Sequence, residues 1–571
     1  MIYEPVEPLT PKDLEARLAT GRPGVPSFPH DLSAMTAESW DIGWVPWLWR
    51  VRIRILFVID GRIMTGHGAD EFGLGQVLDT LRDRWFAWWV RFSVRVVVRD
   101  HPESFRFTGE GFNLDEFDQV WFFGDWPAFD ANSPDVSDDI IRNEEYSPLD
   151  DTELQIIAGW MERGGGVFAT GDHSLLGASM CSRIPRVRNM RRWTRAQGVP
   201  SFADGDRNET LVHDLQTAII EREGDRWGQQ ISPVYRSTGP TFYHRSPHPL
   251  LCGRTGVIDR FPDHMHEGSV IEDDHVPLRQ PLNIPGYEGE EFPVIPAVFE
   301  GASALVAEPF GVRPRPHVIA HGHTTTRDSD SRRFAVVGVY DGDPVHVGRV
   351  VVDSTWHHWL SMNLVGFQAE LPTVYAGMQD YYRNVALWLS TPKQRASMLF
   401  AATWGVLVGK HPGAFDRAMG IWDLGERVID VIGRTAPQCT VTELVATFFR
   451  PRTSPGPDSP VNDASSANRR PERLRPAVSM VNQAIVGGIA FQLLETAQHH
   501  LRERALGRST DVDVPGLLRH GPGGVRSGVR ELVTTLSESA ARFATLGDDL
   551  RDPYAQDIEL SKPAPESNDD K

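Results

Sequence analysis

Histidine and carboxylate side chains cluster in short motifs of this sequence, and these residue types could do acid/base or metal chemistry. The motifs are Asp172-His173, His264 with His266-Glu267, His321-Gly322-His323, and His357-His358. Imidazole transfers protons near neutral pH, and imidazole with carboxylate also suits a borderline divalent metal ion. The alternative is that these histidines cap loops or pair with the abundant carboxylates of the chain. The motifs therefore predict at least one site residue without fixing which chemistry it does.

For acid/base catalysis the best-placed residues are Asp172 and His173, since they directly follow an apolar strand pattern and a glycine. Their expected catalytic partners are His266, Glu267 and His357. Asp172 could also cap a helix beginning near residue 174, a role that is compatible with a place in the site.

A divalent metal ion is a second expectation. Histidines at alternate positions of an extended segment point to one face, which suits chelation. The candidate ligands are His264, His266, His321 and His323. No H-E-x-x-H motif accompanies them, so the metal remains an open alternative.

The elements that must position these residues are apolar strands that each lead to an aspartate. The strand patterns cover 53–59, 92–98, 120–123 and 167–170, and they lead to Asp60, Asp100, Asp125 and Asp172. Helical patterns at 75–89 and 152–163 alternate with them. This alternation predicts an α/β fold with a flavodoxin-like, doubly wound parallel sheet, whose ligand crevice lies at the carboxyl ends of the strands.

Substrate-binding candidates at that crevice are Asp60, Asp125, Arg188, Arg191 and His358. The two aspartates end neighbouring strands, where they could divide acid and base roles, bind a cation, or satisfy backbone N–H groups of the turns. Six arginines and no acid occupy 183–195. These arginines could clamp an anionic substrate, although pairing with the protein's own acids is the favoured alternative.

The rest of the chain divides into three regions by composition. Residues 1–50 are predicted to form an arm, and 51–368 an α/β domain with an insertion at 174–250 and a β-hairpin at 334–340 and 348–353. Residues 369–571 are predicted to form an all-α domain with a flexible loop at 451–471 and a disordered tail at 555–571. The small residues Gly487 and Gly488 would allow close helix–helix approach.

Composition and net charge restrict the classes of partner that we expect for this protein. The chain has 571 residues and a formal net charge of −19, which argues against nucleic acid or an anionic membrane as the main partner. The three cysteines are far apart, and this spacing predicts neither a disulfide framework nor a thiolate zinc site. We expect a cytoplasmic protein with a small-molecule substrate, without a membrane or nucleic-acid partner. A homo-oligomer or protein partner could use the helical region.

The run GWMERGGGVFATGDH resembles the helix, glycine turn and strand before the nucleophile elbow of class I glutamine amidotransferases. It is closest to their trehalose-utilisation (ThuA-like) relatives, whose late G-K-G-R-V strand and His-containing segment are similar to HVGRVVVDSTWHHW here. The resemblance covers about 300 residues and implies an amidotransferase-like α/β fold. Gly171 stands where those enzymes carry the catalytic cysteine, so glutaminase activity is not expected.

The leading hypothesis is an enzyme, possessing hydrolytic, acid/base or metal-assisted chemistry, that acts on a small sugar-like or anionic substrate. The rival hypothesis is a non-catalytic ligand- or protein-binding module built on an amidotransferase-like domain that has lost its nucleophile. Convergence of the strand-end side chains would favour the enzyme.

Overall fold

The structure is a computed structural model. It describes residues 50–68, 72–83, 86–99, 104–127, 148–172, 176–194, 197, 228–237, 245–262, 270–294, 313–323, 333–409, 419–447, 478–505, 524–532, 534, 535 and 538. The predicted arm is therefore outside the described residues except for Arg50, and so are the predicted loop at 451–471 and the tail at 555–571.

A mixed eight-stranded sheet forms the centre of the α/β fold, with the strand order β2-β1-β3-β4-β14-β13-β12-β6. Its strands are β1 Val51–Ile59, β2 Val90–Val98, β3 Gln119–Phe123, β4 Gly166–Thr170, β6 Ser232–Pro233, β12 His317–His323, β13 Arg333–Tyr340 and β14 Val350–Asp353. The short strands outside it are β5 Gly228–Gln230, β7 Tyr235–Ser237, β8 Arg245–Pro247, β9 Cys252–Gly253, β10 Gly256–Val257 and β11 Arg260–Pro262.

The first five strands of this order are parallel, and the other three add antiparallel pairs. The parallel part has the 2-1-3-4-5 order of flavodoxin-like sheets, with β14 in fifth place. The predicted hairpin is confirmed, because β13 and β14 pair antiparallel with Val337 opposite Asp353. The expectation of a parallel sheet is thus correct for one part and incomplete for the edge formed by β13, β12 and β6.

Apolar side chains on both faces explain why the parallel strands form the core. All five residues of β3 and of β4 are buried, as are most of β1. Helices α1 Gly75–Arg82 and α2 Asp151–Glu162 connect the strands. Helix α2 begins with a capping box in which Asp150 and Glu153 each accept a hydrogen bond from the other's backbone N–H.

Helix α1 ends at Arg82, so it is shorter than the helix predicted over 75–89. Phe86, Trp88 and Trp89 follow in a non-helical connection and are buried. The Trp88 indole donates to the Ala402 carbonyl at 3.3 Å. The apolar residues whose spacing suggested a longer helix therefore belong to a buried loop.

Two short helices, α3 Ala178–Cys181 and α4 Val187–Met190, follow the β4 loop. From residue 361 on, the described elements are helices: α5 Ser361–Glu370, α6 Pro372–Trp388, α7 Pro392–Gly409, α8 Ile421–Gly433, α9 Gln438–Ala446 and α10 Val478–Ala505. Residues 524–532 are also helical.

The chain forms two compact units. The first comprises 1–238, 242–416 and 427–460, and the second comprises 239–241, 417–426 and 461–571. The predicted boundary at 368 thus falls inside the first unit. In the second unit a Cβ atom on Gly488 would collide with the backbone of Gly524 and Gly528, which agrees with the close helix approach expected there.

Buried charges attach the helices of the first unit to the β13–β14 turn. The Arg349 guanidinium contacts Asp341 at 2.9 Å, Asp343 at 2.8 Å and Glu443 of α9 at 2.7 Å. It also donates to the Trp388 carbonyl at the end of α6. This network has a structural role, since each of its contacts is internal to the fold.

The expectation that the distant cysteines form no disulfide is wrong. Cys252 of β9 and Cys439 of α9 form a disulfide with a Cα–Cα distance of 6.2 Å, although 187 residues separate them in sequence. Folding brings distant segments together, so sequence spacing alone could not exclude this bond. As for membranes, the helices in the described part of the chain include none with the length and apolarity that a transmembrane span needs.

Candidate active site

Four buried aspartates lie at the carboxyl ends of the parallel strands. Asp60 follows β1, Asp125 follows β3, Asp172 follows β4, and Asp353 is the last residue of β14. Their exposed fractions are 3% or less. A carboxylate buried to this extent needs hydrogen-bond partners or a raised pKa, so the contacts of each aspartate reveal its role.

Asp172 joins two residues from the loop after β14. Its Oδ1 accepts a hydrogen bond from the Thr355 hydroxyl at 2.8 Å, and its Oδ2 lies 3.1 Å from His357 Nε2. The backbone N–H of His357 in turn donates to Thr355 Oγ1 at 3.1 Å. The Asp172 carboxylate therefore fixes the orientation of the His357 ring, whose side chain is 15% exposed.

Aromatic rings pack beside the His357 imidazole. His357 stacks on the indole of Trp356 with a centroid distance of 4.7 Å. Trp356 is 1% exposed and its Nε1 donates to the Gly124 carbonyl at 3.1 Å. Phe72 meets the Trp356 ring edge-on at 5.3 Å. These contacts connect the loops after β3 and β14, and the His357 side chain remains 15% exposed.

Asp60 accepts backbone hydrogen bonds instead of contacting a histidine. The N–H groups of Asp125 and Trp126 donate to its Oδ1 at 2.5 and 3.2 Å. Burial raises the pKa of Asp60 from 3.8 to about 7, against the lowering effect of these hydrogen bonds. Asp60 thus ties the β1 loop to the β3 loop, as the backbone alternative predicted.

Asp125 is engaged by Arg62, a residue that sequence reasoning missed. The backbone N–H and Nε of Arg62 donate to Asp125 Oδ2 at 2.9 and 3.0 Å, and Nη2 donates to Oδ1 at 2.7 Å. Gly61 between the two loops has φ +60°, and a Cβ there would collide with the Asp125 carboxylate. The carboxylate predicted to bind substrate is therefore covered by an arginine.

Asp353 and His358 form a second aspartate–histidine pair that is wholly buried. Asp353 Oδ2 lies 2.8 Å from His358 Nε2 and accepts hydrogen bonds from Tyr381 at 3.0 Å and Trp359 at 3.3 Å. The His358 ring also stacks on Phe261 at 4.4 Å. Because both side chains are 0% exposed, His358, predicted to bind substrate, lies in the core in this structure.

Arg191 is also fully buried, and it contacts backbone where substrate contact was expected. Its guanidinium donates to the carbonyls of Asp172 at 2.8 Å, Asp353 at 3.0 Å and Ser354 at 3.0 Å. Burial lowers the pKa of Arg191 to about 10, and the carboxylates of Asp172 and Asp353 partly oppose this shift. Arg191 thus holds the loops after β4 and β14 together.

Three other arginines of this segment pair with the protein's own acids, as the favoured alternative predicted. Arg188 contacts Glu291, Arg186 contacts Glu162, and Arg183 contacts Asp151. The predicted substrate-binding residue Arg188 is therefore directed to the 281–291 segment, where its guanidinium contacts Glu291 and the carbonyls of Pro281 and Leu282.

Of the predicted metal ligands, the structure describes His321 and His323. His321 of β12 lies 3.1 Å from Glu272 and lowers the pKa of that carboxyl through a hydrogen bond, while His323 is exposed. Across the described ranges, no three histidine, cysteine or acidic side chains come together as a metal site would require.

The predicted site residues His173, His264, His266 and Glu267 lie outside the described residues. The described residues that flank the last three do reach the strand ends. Phe261 stacks on His358, and Val270 forms an antiparallel bridge with Arg191.

The position of Gly171, where the resembling enzymes carry their nucleophilic cysteine, has no room for a side chain. A Cβ on Gly171 would collide with the Leu176 carbonyl and lie 3.1 Å from the Trp193 ring, so no cysteine side chain fits without a backbone shift. Cys181 is nearby in sequence but 0% exposed, and burial raises the pKa of its thiol well above 9.0. Neither position offers a reactive thiolate.

The sequence predicted Asp172 and His173 as the acid/base pair, with His357 among their partners, and the structure brings Asp172 and His357 into contact. Thr355, Arg62 and Asp353 were not among the predicted site residues. Asp353 carried a signal that could have revealed it, because it ends an apolar strand as the other aspartates follow theirs. No family model, curated protein or solved structure matches this chain, so its geometry alone carries the functional argument.

Proposed function

We propose that this protein is an enzyme that uses the Asp172–His357 pair for general acid/base chemistry on a small polar substrate. The observation that carries this proposal is the contact of 3.1 Å between the buried Asp172 carboxylate and the partly exposed His357 imidazole. A histidine held in one orientation by a carboxylate is the arrangement that proton-transfer catalysis uses. Hydrolysis is the reaction class that this pair suits best.

Each member of the site has a distinct role in this proposal. His357 transfers the proton, and Asp172 stabilises the imidazolium that forms and keeps the ring in place. Thr355 is a positioning residue, since its hydroxyl donates to Asp172 and accepts the His357 N–H. His173, His266 and Glu267 stay predictions as further participants.

The parallel strand order supports the location of the site. Flavodoxin-like sheets bind ligands at the carboxyl ends of the strands, where the strand order reverses between β1 and β3. The loops after β1, β3, β4 and β14 meet there through Asp60, Asp125 and Arg191. The amidotransferase-like resemblance remains a proposal about ancestry of the domain, without its thiol chemistry.

The rival function is a non-catalytic binding module. The lack of room for a side chain at Gly171 favours it, because the elbow of the resembling enzymes cannot be rebuilt here. On that view the Asp172–His357 contact orders the loop after β14 without moving protons.

Hydrolysis assays on variants of the pair test the proposal. The full-length protein is screened against small esters, amides, glycosides and phosphate esters, and the variants Asp172→Asn and His357→Gln are assayed on any substrate found. We expect each variant to lose at least about 100-fold in kcat/KM, the usual contribution of a general acid or base. His67→Gln, an exposed histidine paired with Asp79, is the matched control and should retain activity.

Circular dichroism confirms that the variants are folded. Full activity of both folded variants would contradict the proposal. Substrates that bind without any turnover would favour the binding module.

A further inference from the structure

We infer that the ligand of the proposed site carries an oxyanion, either a carboxylate or a phosphate, and that Arg62 binds this group. The inference rests on the proposed function for its location, since it takes the site beside His357 as the place where the ligand binds. It concerns recognition and not turnover, so it can be tested without a known reaction.

The first observation is that Arg62 is held rigidly but remains accessible. Its Nε and Nη2 grip the Asp125 carboxylate in a two-point contact, and its guanidinium carbon lies 4.7 Å from the centre of the Phe72 ring. The side chain is nevertheless 54% exposed. A guanidinium fixed in this way loses little conformational entropy when it binds an anion.

The second observation connects Arg62 to the proposed catalytic histidine. Phe72 contacts the Arg62 guanidinium on the one hand and the Trp356 ring at 5.3 Å on the other. Trp356 then stacks on His357 at 4.7 Å. Arg62 and His357 are therefore connected through Phe72 and the buried Trp356, and both belong to the group of loops at the strand ends.

The third observation concerns which charges a ligand would meet. The aspartates at these strand ends are buried and occupied: Asp125 by Arg62, Asp172 by Thr355 and His357, and Asp60 by backbone N–H groups. Among these partners of the three aspartates, Arg62 is the charged group whose side chain is more than half exposed. Its pKa is raised, chiefly by the hydrogen bonds to Asp125, with a smaller contribution from the charge of Asp172.

These observations change the role predicted for Asp125. It becomes a positioning residue that aims Arg62, and the guanidinium provides the N–H donors of Nη1 and the outer edge of Nη2. Arginine presents such donors to carboxylate and phosphate oxygens with matching geometry. The ligand is thus expected to place its anionic group near Arg62 and its reacting bond near His357.

Binding of simple anions to the full-length protein tests this inference. Inorganic phosphate and succinate are titrated by calorimetry at constant ionic strength, with sodium chloride as the ionic control and glycerol as the neutral probe. Arg62→Gln removes the charge, and Arg62→Lys keeps the charge without the planar fork. Arg52→Gln is the matched control, because Arg52 is an exposed arginine at the start of strand β1, which leads into the loop that carries Arg62.

We expect phosphate or succinate to bind the wild type and Arg52→Gln with equal Kd, and Arg62→Gln to raise that Kd by at least about tenfold. Arg62→Lys should fall between the two. Binding of phosphate alone would identify a phosphate-bearing ligand, and binding of succinate alone a carboxylate. No binding of either anion, or binding unchanged in Arg62→Gln, would overturn the inference.

Chemical modification gives a second readout that needs no variant. Phenylglyoxal reacts with exposed arginines, and mass spectrometry of the wild type measures its reaction at Arg62 and Arg52. The bound anion should slow modification of Arg62 several-fold and leave Arg52 unchanged, whereas equal rates at Arg62 with and without the anion would refute the inference. Anion binding at Arg62 together with full activity of His357→Gln would refute only the proposed function.

Discussion

His357 and His358 are neighbours in sequence, and each pairs with a strand-end aspartate, but the two pairs lie in different environments. His357 contacts Asp172 at 3.1 Å and its side chain is 15% exposed. His358 contacts Asp353 at 2.8 Å, and neither member of that pair is exposed. The Asp353 carboxylate also accepts hydrogen bonds from Tyr381 and Trp359, which are core residues.

The two pairs consist of the same side-chain types and differ in burial, and on the proposed function this difference separates a stabilising pair from a catalytic one. Because both members of the Asp353–His358 pair are fully buried, that pair cannot exchange a proton with a ligand without breaking core contacts. A pair with one member toward solvent can. We therefore propose that the inner pair, Asp353–His358, stabilises the fold and that the outer pair, Asp172–His357, is the functional one.

Removal of the two carboxylates should separate the pairs most strongly. Asp353→Ala leaves His358, Trp359 and Tyr381 with buried unpaired groups, and we expect it to lower the free energy of unfolding by about 3–5 kcal/mol. Asp172→Ala should cost roughly 1–2 kcal/mol, because His357 can turn to water. Urea denaturation followed by circular dichroism measures both, and equal losses would break the distinction.

Asp60 sharpens the comparison as a third buried aspartate, one that accepts backbone N–H groups. Its folded pKa of about 7 lies above the unfolded value of 3.8, so the folded state retains a proton between these values that the unfolded state has lost. This contribution to stability is present below about pH 4 and is lost as the pH rises to 7.

Asp60→Asn resembles the protonated acid and should abolish that loss. We expect the variant to match the wild type near pH 4 and to exceed it above pH 7 by at most about 4 kcal/mol. Urea denaturation of both proteins across this pH range provides the test. A stability difference that does not vary with pH would mean that Asp60 titrates normally.

The two histidines themselves give the smallest expected difference in stability. His358→Gln removes the ring stacked on Phe261 and should cost about 2–3 kcal/mol. His357→Gln should cost less than about 1 kcal/mol, since its ring is partly exposed. Thermal unfolding of both variants measures this contrast. A larger loss for His357→Gln would reverse the assignment of the two pairs.

Much of the parallel sheet could be predicted from the sequence. The apolar runs of β1, β3 and β4 and the helix between the latter two have patterns that local physics largely determines. The antiparallel edge was harder to predict, because β12 and the two-residue strand β6 carry little local pattern of their own.

The candidate site was predictable in its residue types more than in its pairings. Asp172 and His357 were both expected at the crevice, and the structure brings them together across 185 positions of sequence. That His358 belongs to Asp353, and that Arg62 covers Asp125, could not be predicted, because both depend on which way neighbouring loops turn.

The sequence by itself determined that aspartates follow buried parallel strands, because strand burial and β-α alternation are encoded in the order of apolar and polar residues. Only the tertiary structure decided which of the two histidines that pair with those aspartates keeps part of its surface exposed. Accessibility depends on how loops from distant segments pack together, and here Arg191 joins the loops of Asp172 and Ser354 while Trp356 reaches the Gly124 carbonyl. In that packing the His357 side chain is 15% exposed and His358 is fully buried, although the two residues are adjacent in the chain.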